Sequence, residues 1–447
     1  MTNKMICRFA PSPTGFLHIG NIRTAIINYL FAKKNGGQFM LRLDDTDEER
    51  VKDEYRDMIL TDIKWLGLHF DGDLIKQSDR LAVYEKAKNE LIAKRRIYEC
   101  FETAEELNFQ RKSQIASGQR PLYDRSALNY TEEQKEAYHQ EGRKSYWRFL
   151  LNDQTTIWQD KVKGEIKFEG LHFSDPVIIR ENNIPTYTFC SVVDDIDFAV
   201  TDIVRGEDHV TNTAVQIQIF EALGEGKIPN FSHLGLIQAN DGKMSKRKGG
   251  FDIKSLREDG FEPLSVINLL AQIGTSKSLI IENNLQNLID KFDLHNFSKS
   301  TTHYNLDELK TINAKLLQIL PFKEIVEALK KHGINEEIDE FFWQNIKSNL
   351  NLLHEVRDWV DVCKKTLRYS HQAQDHDLLD IAKATLPENI TLDTWQEWIG
   401  KIKEKTDRKG KELFMPLRLA LTGKENGPEL KNLLPLINRD EILARLS

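Results

Sequence analysis

Residues 5–47 read MICRFAPSPTGFLHIGNIRTAIINYLFAKKNGGQFMLRLDDTD. The opening apolar stretch runs into Pro11-Ser12-Pro13-Thr14-Gly15, so a strand ending in a tight turn is expected. Ile22, Ala25, Ile26, Tyr29 and Leu30 then recur at helical spacing, and Gly36-Gly37 stops the run. QFMLRL reads as a second strand that ends in Asp44-Asp45-Thr46-Asp47. Strand, glycine-bearing turn, helix, strand is a βαβ unit, which places the chain in the α/β class with a parallel sheet covered by helices. Ligands of such sheets lie beyond the carboxyl ends of the strands. Both the His18-Ile19-Gly20 turn and the acidic cluster fall there. A buried core strand would hold neither that glycine nor that imidazole, whereas a site that brings backbone close to a ligand would hold both.

Working outward, residues 76 to about 185 turn polar and helix-rich, with strand-like pieces such as IKFEG and DPVIIR, and read as an insertion or separate lobe. IPTYTFCSVVDDIDFAVTDIVRGEDH returns to apolar segments ending in acids and an arginine. HLGLIQANDGKMSKRKGG is a strand followed by a basic, glycine-bounded loop. From about residue 305 the apolar spacing is helical to the end. A chain of 447 residues implies two to four domains. No run is long and apolar enough for a membrane span, and the first residues lack the basic flank and apolar core of a signal peptide. Cys7, Cys100, Cys190 and Cys363 lie far apart, which gives neither a disulfide framework nor zinc-type spacing, so a reducing cytoplasm is the expected home. The net charge of -7 does not exclude a nucleic-acid partner, because phosphate contacts depend on local patches.

Two elements carry chemistry. A helix start offers amide N–H groups and a favourable dipole to phosphate, and His18 adds a donor that can stabilise charge growing in a transition state. The bland alternative is a turn with an incidental histidine. Lys243, Lys246, Arg247 and Lys248 cluster between Gly242 and Gly249-Gly250. Lysines on a glycine-flanked loop suit a polyphosphate, although most such runs are solvated loops. No GxxxxGK[ST] and no GxGxxG is present, so phosphate handling falls to these two elements.

HIGN and KMSKR, more than two hundred residues apart, are similar to the paired signatures of class I aminoacyl-tRNA synthetases. RFAPSPTGFLHIG, GGQFMLRLDDTD, PTYTFCSVVDD, TDIVRGEDH and KGKELFMPLRLALTGKENGPEL extend the likeness, and together the chain resembles bacterial glutamyl-tRNA synthetases over nearly its whole length. The resemblance implies a Rossmann-type catalytic domain at 1–75 and 186–240 and an inserted acceptor-stem-binding lobe at 76–185. It further implies a stem-contact region with a mobile lysine loop at 241–304 and an all-helical anticodon-binding domain at 305–447. It implies ATP-dependent ligation of L-glutamate to tRNA(Glu) through a glutamyl-adenylate, with Mg2+ accompanying ATP, by a monomer. Whether tRNA(Gln) is charged as well or instead is left open. A glutaminyl enzyme shares the core but builds its anticodon part from β-barrels, against the helical reading here. A truncated relative that modifies a tRNA base lacks the helical region. A small-molecule nucleotidyltransferase would not need that region, and a catalytically dead tRNA-binding protein would not need His18, Gly20, Lys243 and Lys246.

By the same resemblance His18, Gly20 and Asp208 belong to the ATP site. Lys243 and Lys246 belong to the mobile loop, and Asn21 stands where the class has a second histidine. Arg8 matches the arginine for the side-chain carboxylate of glutamate, and Arg205 a second arginine near the α-carboxylate. A guanidinium pairs a carboxylate by two hydrogen bonds, which suits a dicarboxylate substrate. Individually each could be a structural ion pair, but both sit at expected strand ends. Ser12 and Tyr187 match other substrate contacts. Asp44, for the substrate ammonium, stands where many relatives carry Glu, and Ser191 where an Asn often sits. Some relatives bind zinc in the insertion through several cysteines. Here only Cys100 is a thiol, with Glu102 and Ser126 at the other places, and one soft ligand cannot close a zinc site, so none is expected. Residues 401–418 hold seven basic and three acidic side chains, a stretch that in this family context is expected to face tRNA backbone.

Overall fold

β1 (Ile6–Phe9) and β2 (Gln38–Leu43) pair in parallel, with Ile6 opposite Gln38 and Phe9 opposite Leu41. The helix Ile19–Lys34 joins them and buries Ile22, Ala25, Ile26, Tyr29 and Leu30, the positions picked out by spacing. Its end is closed by Gly36 in the left-handed region and by Gly37, whose N–H donates to the Ala32 carbonyl at 2.8 Å. A side chain at Gly37 would meet the Met5 carbonyl at 2.6 Å, so the turn needs a glycine there. The βαβ unit read from the sequence is therefore present. The computed structural model of the chain describes residues 4–47, 49–224, 226–239, 252–335 and 338–447.

The remaining strands are β3 (Ile75–Lys76), β4 (Ile97–Cys100), β5 (Tyr146–Phe149), β6 (Thr155–Asp160), β7 (Gly164–Glu169), β8 (Val177–Ile179), β9 (Asp202–Gly206), β10 (Asn230–Leu234), β11 (Ile237–Ala239) and β12 (Thr302–Tyr304). The main sheet runs β3-β2-β1-β9-β10-β6-β7, parallel throughout except for β7. The chain leaves β1 toward β2 on one side, while β9 and β10 build the other side. The strand order thus reverses between β1 and β9, and ligands of doubly wound sheets bind at that switch point. The stretch 76–185 does not stay apart from this sheet, because β6 and β7 extend it. The rest of the stretch includes the helix Leu81–Ala93, which buries Tyr84, Ala87 and Leu91, a small antiparallel sheet, β4-β5-β8, and two helices, Ala104–Ala116 and Glu132–Gln140, that bury no residue. Thr103 with Glu106 and Thr131 with Gln134 form capping boxes that start these solvated helices. Under the main sheet, Tyr84, Phe149, Trp158, Phe189, Phe220 and Phe231 pack into one core.

Two compact units emerge: 1–256 with 267–280 and 284–305, and 257–266 with 281–283 and 306–447. The second unit is helical from Leu306 onward among the described residues, as the spacing predicted. In Phe322–Lys331, Ile325, Ala328 and Leu329 face its core at i, i+3 and i+4. Trp343 and Trp398 are its largest buried side chains. Among the described residues no helix is long and apolar enough to cross a membrane.

Candidate active site at the strand switch point

Beyond the carboxyl ends of β1 and β9 lies a cavity of about 340 Å³. Its wall brings together Arg8, His18, Gly20, Asn21, Tyr187, Arg205 and Asp208. Four separate segments supply them: β1, the first helix start, the Tyr187–Asp197 helix and the end of β9 with the turn after it. Ser12, Asp44 and Ser191 are not on this wall. Ser12 is exposed, while Asp44 and Ser191 are buried. Ser191 Oγ is buried without a hydrogen-bond partner among the described residues.

His18 is the N-cap of the first helix. Its Nδ1 accepts from the amides of Gly20 at 3.1 Å and Asn21 at 3.4 Å, while Asn21 Oδ1 accepts from the His18 amide at 3.3 Å. Two of the amides that the sequence leaves free for phosphate are thus held by the imidazole itself. Accepting through Nδ1 puts the proton of the neutral ring on Nε2, so Nε2–H is the donor it can offer a ligand. The enclosing walls push the His18 pKa down and Asp208 opposes this, so the ring favours the neutral form. Gly20 has a steric role toward His18: a Cβ there would sit 3.0 Å from Cε1 and 3.1 Å from Nδ1 of the ring. Asp208 folds back over Gly206, its Oδ1 only 2.3 Å from where a Cβ on that glycine would sit.

Arg8 is 5% exposed and gives Nε and Nη2 to Asp195, the latter at 3.1 Å. It is therefore a structural ion pair and a cavity wall residue at once, with Nη1 left without a hydrogen bond among the described residues. Arg42 links Asp195 to Asp44, at 2.8 and 2.7 Å. Asp194 adds Arg80, Tyr84 and Gln77 as partners. Burial raises the Asp195 pKa, but Arg8 and Arg42 outweigh it and hold the carboxylate low. Burial wins at Asp44, which is raised to about 6 despite Arg42. The acidic cluster at the end of β2 is internally partnered throughout: Asp44 with Arg42, Asp45 with Ser78, Asp47 with Arg50.

Arg205 differs. It is 4% exposed and has no ion pair among the described residues. Its neighbours are neutral: Tyr187 Oη at 3.3 Å, Gln216 Oε1 at 2.7 Å, Thr213 Oγ1 at 2.5 Å and His233 Nε2 at 3.4 Å. Burial lowers its pKa. A buried cation without a counter-ion is costly, and an anionic ligand removes that cost. The sequence singled out Arg8 and Arg205 but not Asp195, Arg42, Thr213, Gln216 or His233. No spacing joins these residues, and only the fold does.

Lys243 and Lys246 lie outside the described residues. The flanking chain reaches the site from both ends: Ile237 lines the cavity, and Asp252 forms a backbone bridge with His18. In the small sheet, Glu102 accepts hydrogen bonds from Tyr123, Ser126, Tyr130 and Tyr146 at 2.8, 3.2, 3.0 and 3.1 Å. Burial raises the Glu102 pKa and these hydroxyls more than reverse it, while burial pushes the Cys100 thiol up to about 12. Glu102 and Ser126, weighed from the sequence as metal-ligand positions, are here part of a carboxylate–hydroxyl knot.

Residues 4–311 match the family of class I tRNA synthetases (E and Q), catalytic domain, and residues 324–447 match an anticodon binding domain. Glutamate–tRNA ligase 1 of Rickettsia bellii is 48% identical over 446 residues, spanning 99% of this chain and all of that one. Glutamate–tRNA ligase 2 of Rickettsia canadensis is 48% identical over 447 residues, again at 99% and 100% coverage. Among solved structures, a glutamate tRNA ligase of Elizabethkingia meningosepticum in complex with its amino acid superposes with a TM-score of 0.82 at 25% identity, covering 99% of this chain and 98% of that one. With its catalytic domain matched and relatives of this identity along its full length, the chain belongs to the glutamate–tRNA ligases of the class I tRNA synthetase family.

Proposed function

We propose that the chain ligates L-glutamate to tRNA(Glu) in two steps, through a glutamyl-adenylate. A carboxylate oxygen of glutamate attacks the α-phosphorus of ATP, and the bond to pyrophosphate breaks. A hydroxyl of the terminal adenosine of the tRNA then attacks the acyl carbon, and AMP leaves. The observation that carries this reading is Arg205, a buried guanidinium without an ion pair among the described residues that shares a cavity with His18 and Asn21. Arg205 suits a carboxylate, and His18 Nε2–H at the helix start suits a phosphate oxygen.

Arg8 and Arg205 take the two carboxylates of glutamate, Arg8 the side-chain group and Arg205 the α-carboxylate, with Tyr187 Oη beside Arg205. His18 donates Nε2–H to a phosphate oxygen, where charge grows as pyrophosphate departs. Gly20 keeps that ring in place, Asn21 pins the turn, and Asp208 lies at the ATP side. Ser12, Asp44 and Ser191, glutamate contacts by the resemblance, lie off the cavity wall. Lys243 and Lys246 belong to the phosphate-binding loop. Among the described residues no group of three His, Cys, Asp or Glu forms a metal site. In this reading Mg2+ comes with the ATP phosphates.

For the RNA, 76–185 would hold the acceptor stem, 241–304 would contact the stem and 305–447 would take the anticodon. Supporting this, the helical unit has its own cavity of about 1050 Å³ with Arg408, Lys411 and His371 on its wall. The basic stretch 401–418 contributes to it. Unstacked bases suit such concave surfaces, with phosphates held by basic side chains.

Glutamate-dependent ATP–pyrophosphate exchange with tRNA present tests the proposal. Exchange that needs glutamate and is lost in Arg205→Ala supports it. Equal exchange with glutamine in place of glutamate contradicts it.

A further inference from the structure

Behind Arg205 lies a buried polar chain that no sequence signal picked out. His233 on β10 and Asp160 at the end of β6 have no exposed side-chain surface. Their His233 Nδ1···Asp160 Oδ2 separation is 2.5 Å. Asp160 Oδ1 also accepts from the backbone amides of Val162, Lys163 and His233 at 2.9, 2.8 and 3.1 Å. A carboxylate taking three amide N–H groups is ionised, and the burial that would raise its pKa is outweighed by His233 and these amides. An ionised Asp160 puts the imidazole proton on Nδ1. Burial, with Arg205 beside it, holds His233 below its ordinary pKa and keeps the ring neutral. Nε2 is then a bare acceptor. It faces Thr213 Oγ1 at 2.8 Å and the Nε–H of Arg205 at 3.4 Å.

The donor count of the guanidinium follows. Arg205 has five N–H groups. Nε–H points to His233, the two on Nη2 to Thr213 and Gln216, and one on Nη1 to Tyr187. The remaining N–H is on Nη1, the nitrogen next to Tyr187, which lines the cavity with Arg205. The opposite tautomer of His233 would set an N–H against the Nε–H of Arg205 and break this arrangement. Among the described residues no carboxylate forms an ion pair with Arg205. Asp195 acts on it only at a distance, and Asp160 acts through a neutral ring, so the cation keeps its charge for the ligand.

We propose that Asp160, His233 and Thr213 are positioning residues which fix the Nε–Nη2 edge of Arg205 and present Nη1 to a carboxylate of the amino-acid substrate. The inference rests on the reading of Arg205 as a substrate arginine. Its consequence is selective: losing the chain weakens amino-acid binding and leaves ATP binding alone, since none of the three lines the cavity.

The test is steady-state tRNA(Glu) charging by the full chain, varying glutamate and ATP separately, for Thr213→Val, Thr213→Ser, Asp160→Asn and Arg205→Lys. Thr213→Val keeps the shape and removes the hydroxyl. It is expected to raise the KM for glutamate about tenfold or more, the loss of a hydrogen bond to a charged group, with the KM for ATP within about twofold. Thr213→Ser restores the glutamate KM. Asp160→Asn, whose amide donates to Nδ1 and reverses the tautomer, is expected to exceed Thr213→Val. Glutamate and ATP KM values rising together in Thr213→Val, or a Thr213→Val enzyme unchanged beside a crippled Arg205→Lys, overturns the proposal. An unchanged Arg205→Lys enzyme would instead overturn the substrate role of Arg205, on which the inference stands.

Discussion

At the scale of single residues, the two arginines proposed to take the substrate carboxylates differ in what already neutralises them. Arg8 shares Asp195 with Arg42, inside a network of buried acids and arginines. Removing one member of a buried pair leaves the other charged and unpaired, at about 3–5 kcal/mol. Asp195→Ala is therefore expected to lower unfolding stability by about 3 kcal/mol in a denaturant titration and to raise the KM for glutamate through a misaimed Arg8. A variant with unchanged stability would show that Arg8 and Arg42 find other partners. Arg205→Ala behaves in the opposite way. It removes an uncompensated buried cation, so stability should hold or rise while glutamate-dependent exchange is lost. Arg8 and Arg205 were legible through the family resemblance, with their place at expected strand ends as support. The sequence could not separate their roles, since Asp195 lies 187 residues from Arg8 in sequence.

At the scale of elements, the first helix start depends on the fit of His18 over Gly20. Gly20→Ala places a methyl group 3.0 Å from the ring, displaces the cap and removes about 1 kcal/mol of helix stabilisation. The KM for ATP should rise more than that for glutamate in a charging assay. The helix and its breaker were readable from spacing and glycines, but the cap was not, because histidine is not a usual N-cap residue. β10 carries its own prediction. His233 is depressed below its ordinary pKa of 6.5 by burial, so the unfolded chain takes up a proton that the folded chain refuses. The stability that the neutral ring provides is fully present above about pH 6.5 and is lost as pH falls below it. Melting curves between pH 7 and 5 should fall less steeply for His233→Gln, and parallel curves would place the loss elsewhere. Just after β4, Glu102 is held by four hydroxyls at a position weighed from the sequence as a metal ligand. EDTA is expected to leave the melting temperature unchanged, and a chelator-induced drop would reveal a metal in the knot.

For the whole molecule, the parallel sheet was legible from the strand, turn, helix, strand order of its first unit and the helical C-terminal region from its 3.6-residue apolar spacing. The strand order was not, because pairing such as β6 against β10 joins residues some seventy positions apart. That pairing matters to the site, since it brings Asp160 to His233. The central claim is that this architecture serves ATP-dependent attachment of glutamate to tRNA. The most direct measurement is charging of purified tRNA(Glu) and tRNA(Gln) transcripts with radiolabelled glutamate by the full chain, with and without ATP. The account predicts ATP-dependent glutamylation of tRNA(Glu), with the second transcript reporting whether tRNA(Gln) is also an acceptor. Label on neither transcript would contradict it.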